Sequence, residues 1–139
     1  MTRVERKART KVEAAQIWAM LAKMDWQNWD PDVASIENVQ GGLVEAGRFI
    51  YVLNNGLKLH TVFSDVSEPH GFTWSGSAYA GLLGFWGRLD FETHSDGTLI
   101  TYAFAMTRPL GWIAHWRLKD QVIHGVEEGL RGIIRQVGG

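Results

Sequence analysis

The sequence predicts an α+β domain in which an antiparallel sheet packs against one long C-terminal helix. Three observations lead there. Apolar residues recur at a spacing of two near the N-terminus, switch to three and four after Val12, and return to strand-like segments from Ser35. Those segments are separated up to Thr107 by glycine, proline or Asn-Gly turn signals, as in a meander. The residues after Pro109 then carry one apolar stripe of helical period.

Taken in order, Val4 to Thr10 alternates Val4 and Ala8 with Arg3, Glu5, Lys7 and Arg9, which reads as a half-buried strand. From Val12 to about Lys23, Ala14, Ile17, Trp18 and Leu21 mark a short amphipathic helix. Asp25 to Pro31 is a second short helical turn, closed by the Asp-Pro step because the residue before proline avoids helical geometry. In the meander, Asn55-Gly56 is the strongest hairpin signal, since a tight loop needs positive φ at both positions. Pro69-His70-Gly71 and Ser95-Asp96-Gly97 supply two more reversals. Phe85, Leu89 and Phe91 alternate with Trp86, Arg88, Asp90 and Glu92, and Ile100, Tyr102, Phe104 and Met106 alternate with their neighbours in the same way. On the final helix Trp112, His115, Lys119, Val122, Val126, Leu130, Ile133 and Val137 form the stripe predicted to lie on the sheet, opposite a solvated face of Arg117, His124, Glu128, Arg131 and Arg135.

The 139 residues fit a single domain spanning 1–139. Fourteen Lys plus Arg against fifteen Asp plus Glu leave no global positive field, so nucleic acid is not the expected partner. The lack of cysteine excludes disulfides, thiol nucleophiles and thiolate zinc sites. The N-terminus is charged, without the apolar run of a secretory signal. The stretch Gly76 to Gly87 is too short and too glycine-rich to span a bilayer, so a cytoplasmic location is expected. Seven tryptophans are an excess that calls for a large core or a lined cavity.

The order of strand, two small helices, six-stranded antiparallel meander and long helix resembles the START-like helix-grip fold, also called the SRPBCC superfamily. Val12-Glu13-Ala14-Ala15-Gln16-Ile17-Trp18-Ala19-Met20-Leu21 is similar to that family's first-helix motif. Asp25-Trp26-Gln27-Asn28-Trp29-Asp30-Pro31 is similar to the Trp-x-x-Trp-x-Pro segment after it, and Glu68-Pro69 and Gly97-Thr98 sit where the polyketide cyclase/dehydrase branch has them. The resemblance implies a curved antiparallel sheet of about seven strands wrapped around the helix, with a ligand cavity between them. Its members include aromatic polyketide cyclases and hormone and lipid carriers.

Candidate residues follow from the two readings together. His115 and Lys119 are neighbours at four-residue spacing on an otherwise apolar stripe, so they are the catalytic candidates, as base or hydrogen-bond donor; the structural alternative is a snorkelling lysine and a satisfied histidine. Trp86, Trp112 and Trp116 lie where the family's cavity opens, and with Phe85, Tyr102, His60 and Trp74 they complete the ligand-contact set. Trp18, Trp29 and Trp74 also read as core, and Arg108 as a rim residue or a solvated one. Small residues at Gly76, Ser77, Ala78 and Gly81 are expected to leave room for the cavity. Gly81, Gly84 and Gly87 form either a hairpin over its mouth or a plain turn. Gly125, Gly129 and Gly132 signal either a close backbone approach or simple tolerance. The five histidines fall on separate elements or opposite faces, so no metal is expected, and no glycine-rich fingerprint calls for a nucleotide cofactor. The expected function is binding of a small hydrophobic, aromatic or polycyclic ligand. Cyclase or dehydratase-type chemistry is one outcome; the alternatives are a non-catalytic carrier and a protein-partner adaptor, with a homodimer left open.

Overall fold

The computed structural model describes residues 3–138; Met1, Thr2 and Gly139, which the predicted extent of 1–139 includes, lie outside the described residues. Strand β1 (Val4–Thr10) buries Val4 and Thr10 and exposes Glu5, Lys7 and Arg9, as its alternation requires. Helix α1 (Ala14–Ala22) turns Ile17, Trp18 and Leu21 inward, and a 3-10 turn (Trp26–Asn28) follows. Six strands then run as successive hairpins: β2 (Val33–Gln40), β3 (Arg48–Leu53), β4 (Lys58–Ser67), β5 (Gly71–Ala78), β6 (Leu83–His94) and β7 (Gly97–Thr107). The seven-stranded antiparallel sheet has the order β1-β7-β6-β5-β4-β3-β2, so the first strand lies beside the last. Asn55-Gly56 turns β3 into β4, but in a loop of four residues between Leu53 and Lys58 in which Gly56 alone of the pair has positive φ, 88°, with its N–H donated to the Leu53 carbonyl at 2.9 Å. Register shifts interrupt the β2–β3 ladder twice, and Asn38 sits at φ 51° in the second.

The single helix predicted after Pro109 is divided. Helix α2 (Arg108–Arg117) and helix α3 (Lys119–Val137) meet at Leu118, whose φ of −116° and ψ of 25° leave the helical region. The two pieces rest on different surfaces: α2 lies on β6 and β7, with Gly111 close to the Gly84 carbonyl, while α3 lies on β1, β7 and α1. A straight helix cannot follow both. The break also rotates the predicted stripe. Gly111 and His115 face inward on α2, Val126, Leu130 and Ile133 face inward on α3, and Trp112 and Lys119 are exposed.

The core is built on tryptophan. Trp26 donates its indole N–H to the Leu21 carbonyl at 2.9 Å, and its ring centroid lies 5.4 Å from Trp74 and 5.5 Å from Phe49. Trp74 on β5 faces Gly87 on β6, where a Cβ would overlap the indole; Gly87 is therefore a core position inside a strand, and of the three glycines only Gly81 is in the turn. A Cβ at Gly132 would likewise overlap the Trp29 backbone, so at that position the helical glycine permits close approach.

Candidate functional site

A cavity of about 410 Å³ opens between the sheet and the first turns of α3. Tyr51, Leu53, Leu59, Leu83, Phe85, Phe104 and Met106 give it apolar walls from four strands. The α2–α3 junction contributes Leu118, α3 contributes Gln121, Val122, Gly125 and Val126, and the loop before β2 contributes Asp30 and Asp32. The space exists because α3 offers little bulk here: Gly125 has no side chain, whereas one to two turns later Leu130 and Ile133 are buried in the core.

Asp30 is the unusual wall residue, a carboxyl only 5% exposed. The Tyr51 hydroxyl donates to its Oδ2 at 2.9 Å, and the Asp32 backbone N–H donates to its Oδ1 at 3.0 Å. Its backbone is fixed as well. The Asp30 N–H donates to the Trp26 carbonyl at 2.9 Å, and the Asn54 N–H holds the Asp32 carbonyl at 3.1 Å. Burial pushes the Asp30 carboxyl up to about 6, against the pull of its two hydrogen bonds and with a small addition from the Asp32 charge. Burial first, then the Asp30 charge, pushes the Tyr51 and Tyr102 hydroxyls well above the usual phenol range, so both are neutral donors near pH 7. Around the cavity wall are two carboxyls and no lysine, arginine or histidine. Such a wall accepts hydrogen bonds and exchanges a proton; it has no cation to pair with an anionic ligand.

Of the residues the sequence nominates, Phe85 and Tyr102 line this cavity. Trp74 stands behind Tyr102 in the core, ring centroids 5.7 Å apart, and His60 is exposed on β4. Trp86 points to the outer face of the sheet, where the Arg3 guanidinium lies 5.8 Å from its ring. Trp112, Trp116 and Lys119 are exposed on the α2–α3 segment, outside the cavity lining. His115 is 6% exposed, and neither ring nitrogen has a hydrogen-bond partner. The pairing of His115 with Lys119 is undone by the break at Leu118, which separates the two onto different helices. Gly76, Ser77, Ala78 and Gly81 do not line the cavity either, because the Phe85 ring lies over Gly76. Sequence reasoning missed Asp30, Tyr51 and Gln121. Alternation with Phe49 on β3 places Tyr51 on the inner face, but Asp30 before a proline reads only as a turn.

Among the described residues no three His, Cys, Asp or Glu side chains converge as a metal site, and no helix is long and apolar enough to cross a membrane. The sequence profile of the family described as "Polyketide cyclase / dehydrase and lipid transport" matches residues 1–137. No curated protein matches the chain. Solved structures do match it. A hypothetical protein from Helicobacter pylori superposes with a TM-score of 0.80 at 10% identity, covering 98% of this chain and 88% of the other. The di-domain ARO/CYC StfQ of the steffimycin biosynthetic pathway gives 0.74 at 15% identity, covering 96% of this chain and 49% of StfQ. Ara h 8.0201 gives 0.66 at 16% identity, covering 98% and 97%. At these identities the structural likeness shows a shared fold.

Proposed function

This chain belongs to the polyketide cyclase/dehydrase and lipid transport family, within the SRPBCC superfamily, and on that premise we propose that the cavity beside Asp30 binds a small hydrophobic molecule of aromatic or polycyclic type. The observation that carries the reading is the wall itself: apolar over most of its extent, with a buried carboxyl and a tyrosine hydroxyl at one place, in a volume of about 410 Å³ that suits a ligand of two or three rings. The ligand is neutral or carries an amine or hydroxyl that donates to Asp30. Phe85 and Tyr102 hold its ring faces.

Asp30 supplies what cyclase or dehydratase-type chemistry requires. With a carboxyl near 6 it is present in both protonation states around neutrality, so it takes a proton from a carbon next to a carbonyl and returns one to a departing hydroxyl. A carrier that holds its ligand unchanged is the second reading, favoured by Leu118, which is 43% exposed while lining the cavity and so leaves the ligand a way out. Both readings treat residues 1–139 as one ligand-binding domain.

The test uses N-phenyl-1-naphthylamine, a neutral aromatic amine that fluoresces in apolar surroundings. It is expected to bind with a Kd of about 10 μM or tighter, while its anionic sulfonate analogue binds at least about tenfold more weakly. Gly125→Leu, which fills the cavity from α3, should abolish the signal with circular dichroism unchanged. No binding by the parent, or equal binding by the variant, overturns the reading. Retention of probe by Asp30→Asn with loss of turnover on a polyketide-like substrate distinguishes enzyme from carrier.

A further inference from the structure

Helix α2 keeps its small and polar residues inside and its large apolar ones outside. Gly111 and His115 are buried, whereas Trp112 is 57% exposed, Ile113 56% and Trp116 80%. The turn between β5 and β6 adds Tyr79 and Leu82, both more than half exposed, and is tied to α2 by the Leu110 N–H donated to the Leu82 carbonyl at 3.0 Å. Large apolar side chains gathered this way on a surface mark a contact site.

The charges say what the contact is. Arg108, Arg117 and Lys119 are exposed in the same segment against one exposed acid, Asp120 at its end, an excess of cations although the whole chain carries a net charge of −1. Arg108, Trp112 and Trp116 form one row at four-residue spacing, and Ile113 and Arg117 another. Tryptophan and cations on one face of a short helix suit the boundary between lipid headgroups and acyl chains, where the indole sits half in water and the cation meets phosphate. A second copy of the chain suits it less, because a two-fold contact through this face would set Arg117 and Lys119 near their own equivalents.

We propose that α2 and the β5–β6 turn form a docking surface for a bilayer containing anionic phospholipid. Leu118 belongs to both the exposed surface and the cavity wall, so docking places the cavity opening against the lipid. The proposal does not rest on the cavity being filled, since the docking groups are outside it.

Co-sedimentation with large unilamellar vesicles tests it. The full chain should bind vesicles of phosphatidylcholine with about 30% phosphatidylglycerol at least about tenfold more tightly than phosphatidylcholine alone, and less tightly as salt rises. Trp112→Ser with Trp116→Ser should lower binding about tenfold or more. Arg117→Gln with Lys119→Gln should lower it on anionic vesicles alone, and circular dichroism should match the parent for both pairs because the residues are exposed. No vesicle binding, or binding that neither pair of substitutions changes, overturns the proposal. So does a concentration-dependent dimer in analytical ultracentrifugation that the tryptophan substitutions abolish, which would assign the face to a second copy.

Discussion

Two regions of the inner face of the sheet use the same kinds of residue to opposite ends. Beside α1, Trp18, Trp26 and Trp74 meet Phe72, Phe63 and Phe49 edge to face or tilted, at centroid distances between 5.1 and 6.0 Å among neighbours such as Phe49–Phe63 and Trp26–Phe72. Beside Leu118, Tyr51, Phe85 and Phe104 face about 410 Å³ of unfilled space. Strand composition does not separate them. What differs is the covering layer: α1 and the 3-10 turn bring Ile17, Trp18, Leu21 and Trp26 to the first region, and α3 brings no aromatic residue but Gln121, Val122, Gly125 and Val126 to the second. A cavity in this fold is made by what the helix leaves out.

If that contrast is right, the largest effect should come from the filled region. Trp74→Ala is expected to destabilise by about 3–5 kcal/mol in urea unfolding, while Met106→Ala, at the half-buried cavity wall, costs about 1 kcal/mol or less. Similar values for the two would erase the distinction. Asp30 comes next. Its carboxyl binds protons more tightly folded than unfolded, so its contribution is most favourable below about 3.8, is lost as pH rises to about 6, and stays lost above that. Parent and Asp30→Asn stabilities measured from pH 4 to 7.5 should therefore diverge, the variant gaining about 2–3 kcal/mol relative to the parent across the window. Parallel curves would mean that the carboxyl is not desolvated.

A smaller effect is expected beneath α2. His115→Leu removes two buried ring nitrogens that lack partners, and thermal melts should show a gain of about 1–2 kcal/mol. A loss would show that the imidazole is satisfied. Smallest is Gly125→Ala, where the new methyl meets only the end of the exposed Asp32 side chain. Helix propensity predicts a gain of about 0.5–1 kcal/mol, and probe affinity should fall as the space narrows. Unchanged probe affinity would place the ligand away from α3.

Much of the architecture is legible in the sequence because it is local. The alternation in β1, β6 and β7, the Asn55-Gly56 hairpin and the apolar side of α1 each follow from residues within one element. The break at Leu118 is not legible, since the three- and four-residue spacing of Trp112, His115, Lys119 and Val122 runs through it and only the two supporting surfaces require the bend. The break places His115, Lys119, Trp112 and Trp116 outside the lining of the cavity beside Asp30. Asp30 was hidden for a related reason: its importance comes from Tyr51, 21 residues away, and from its burial, whereas its immediate neighbours signal a turn. The tryptophans divide as the sequence suggests for Trp18, Trp29 and Trp74, which are buried, whereas Trp112 and Trp116 lie exposed on the surface.

The interrupted pairing of β2 with β3 bears on how this protein meets others of its kind. An open sheet has two edges, each able to template a further strand and so to seed fibres. Here β1 lines its edge with Glu5, Lys7 and Arg9, and β2 is bent out of register twice, with Asn38 in a left-handed conformation. The β2 edge therefore lacks a regular run of free backbone groups, and the regular β1 edge is guarded by charge. Both devices work against strand addition, by charge at one edge and by irregular backbone at the other.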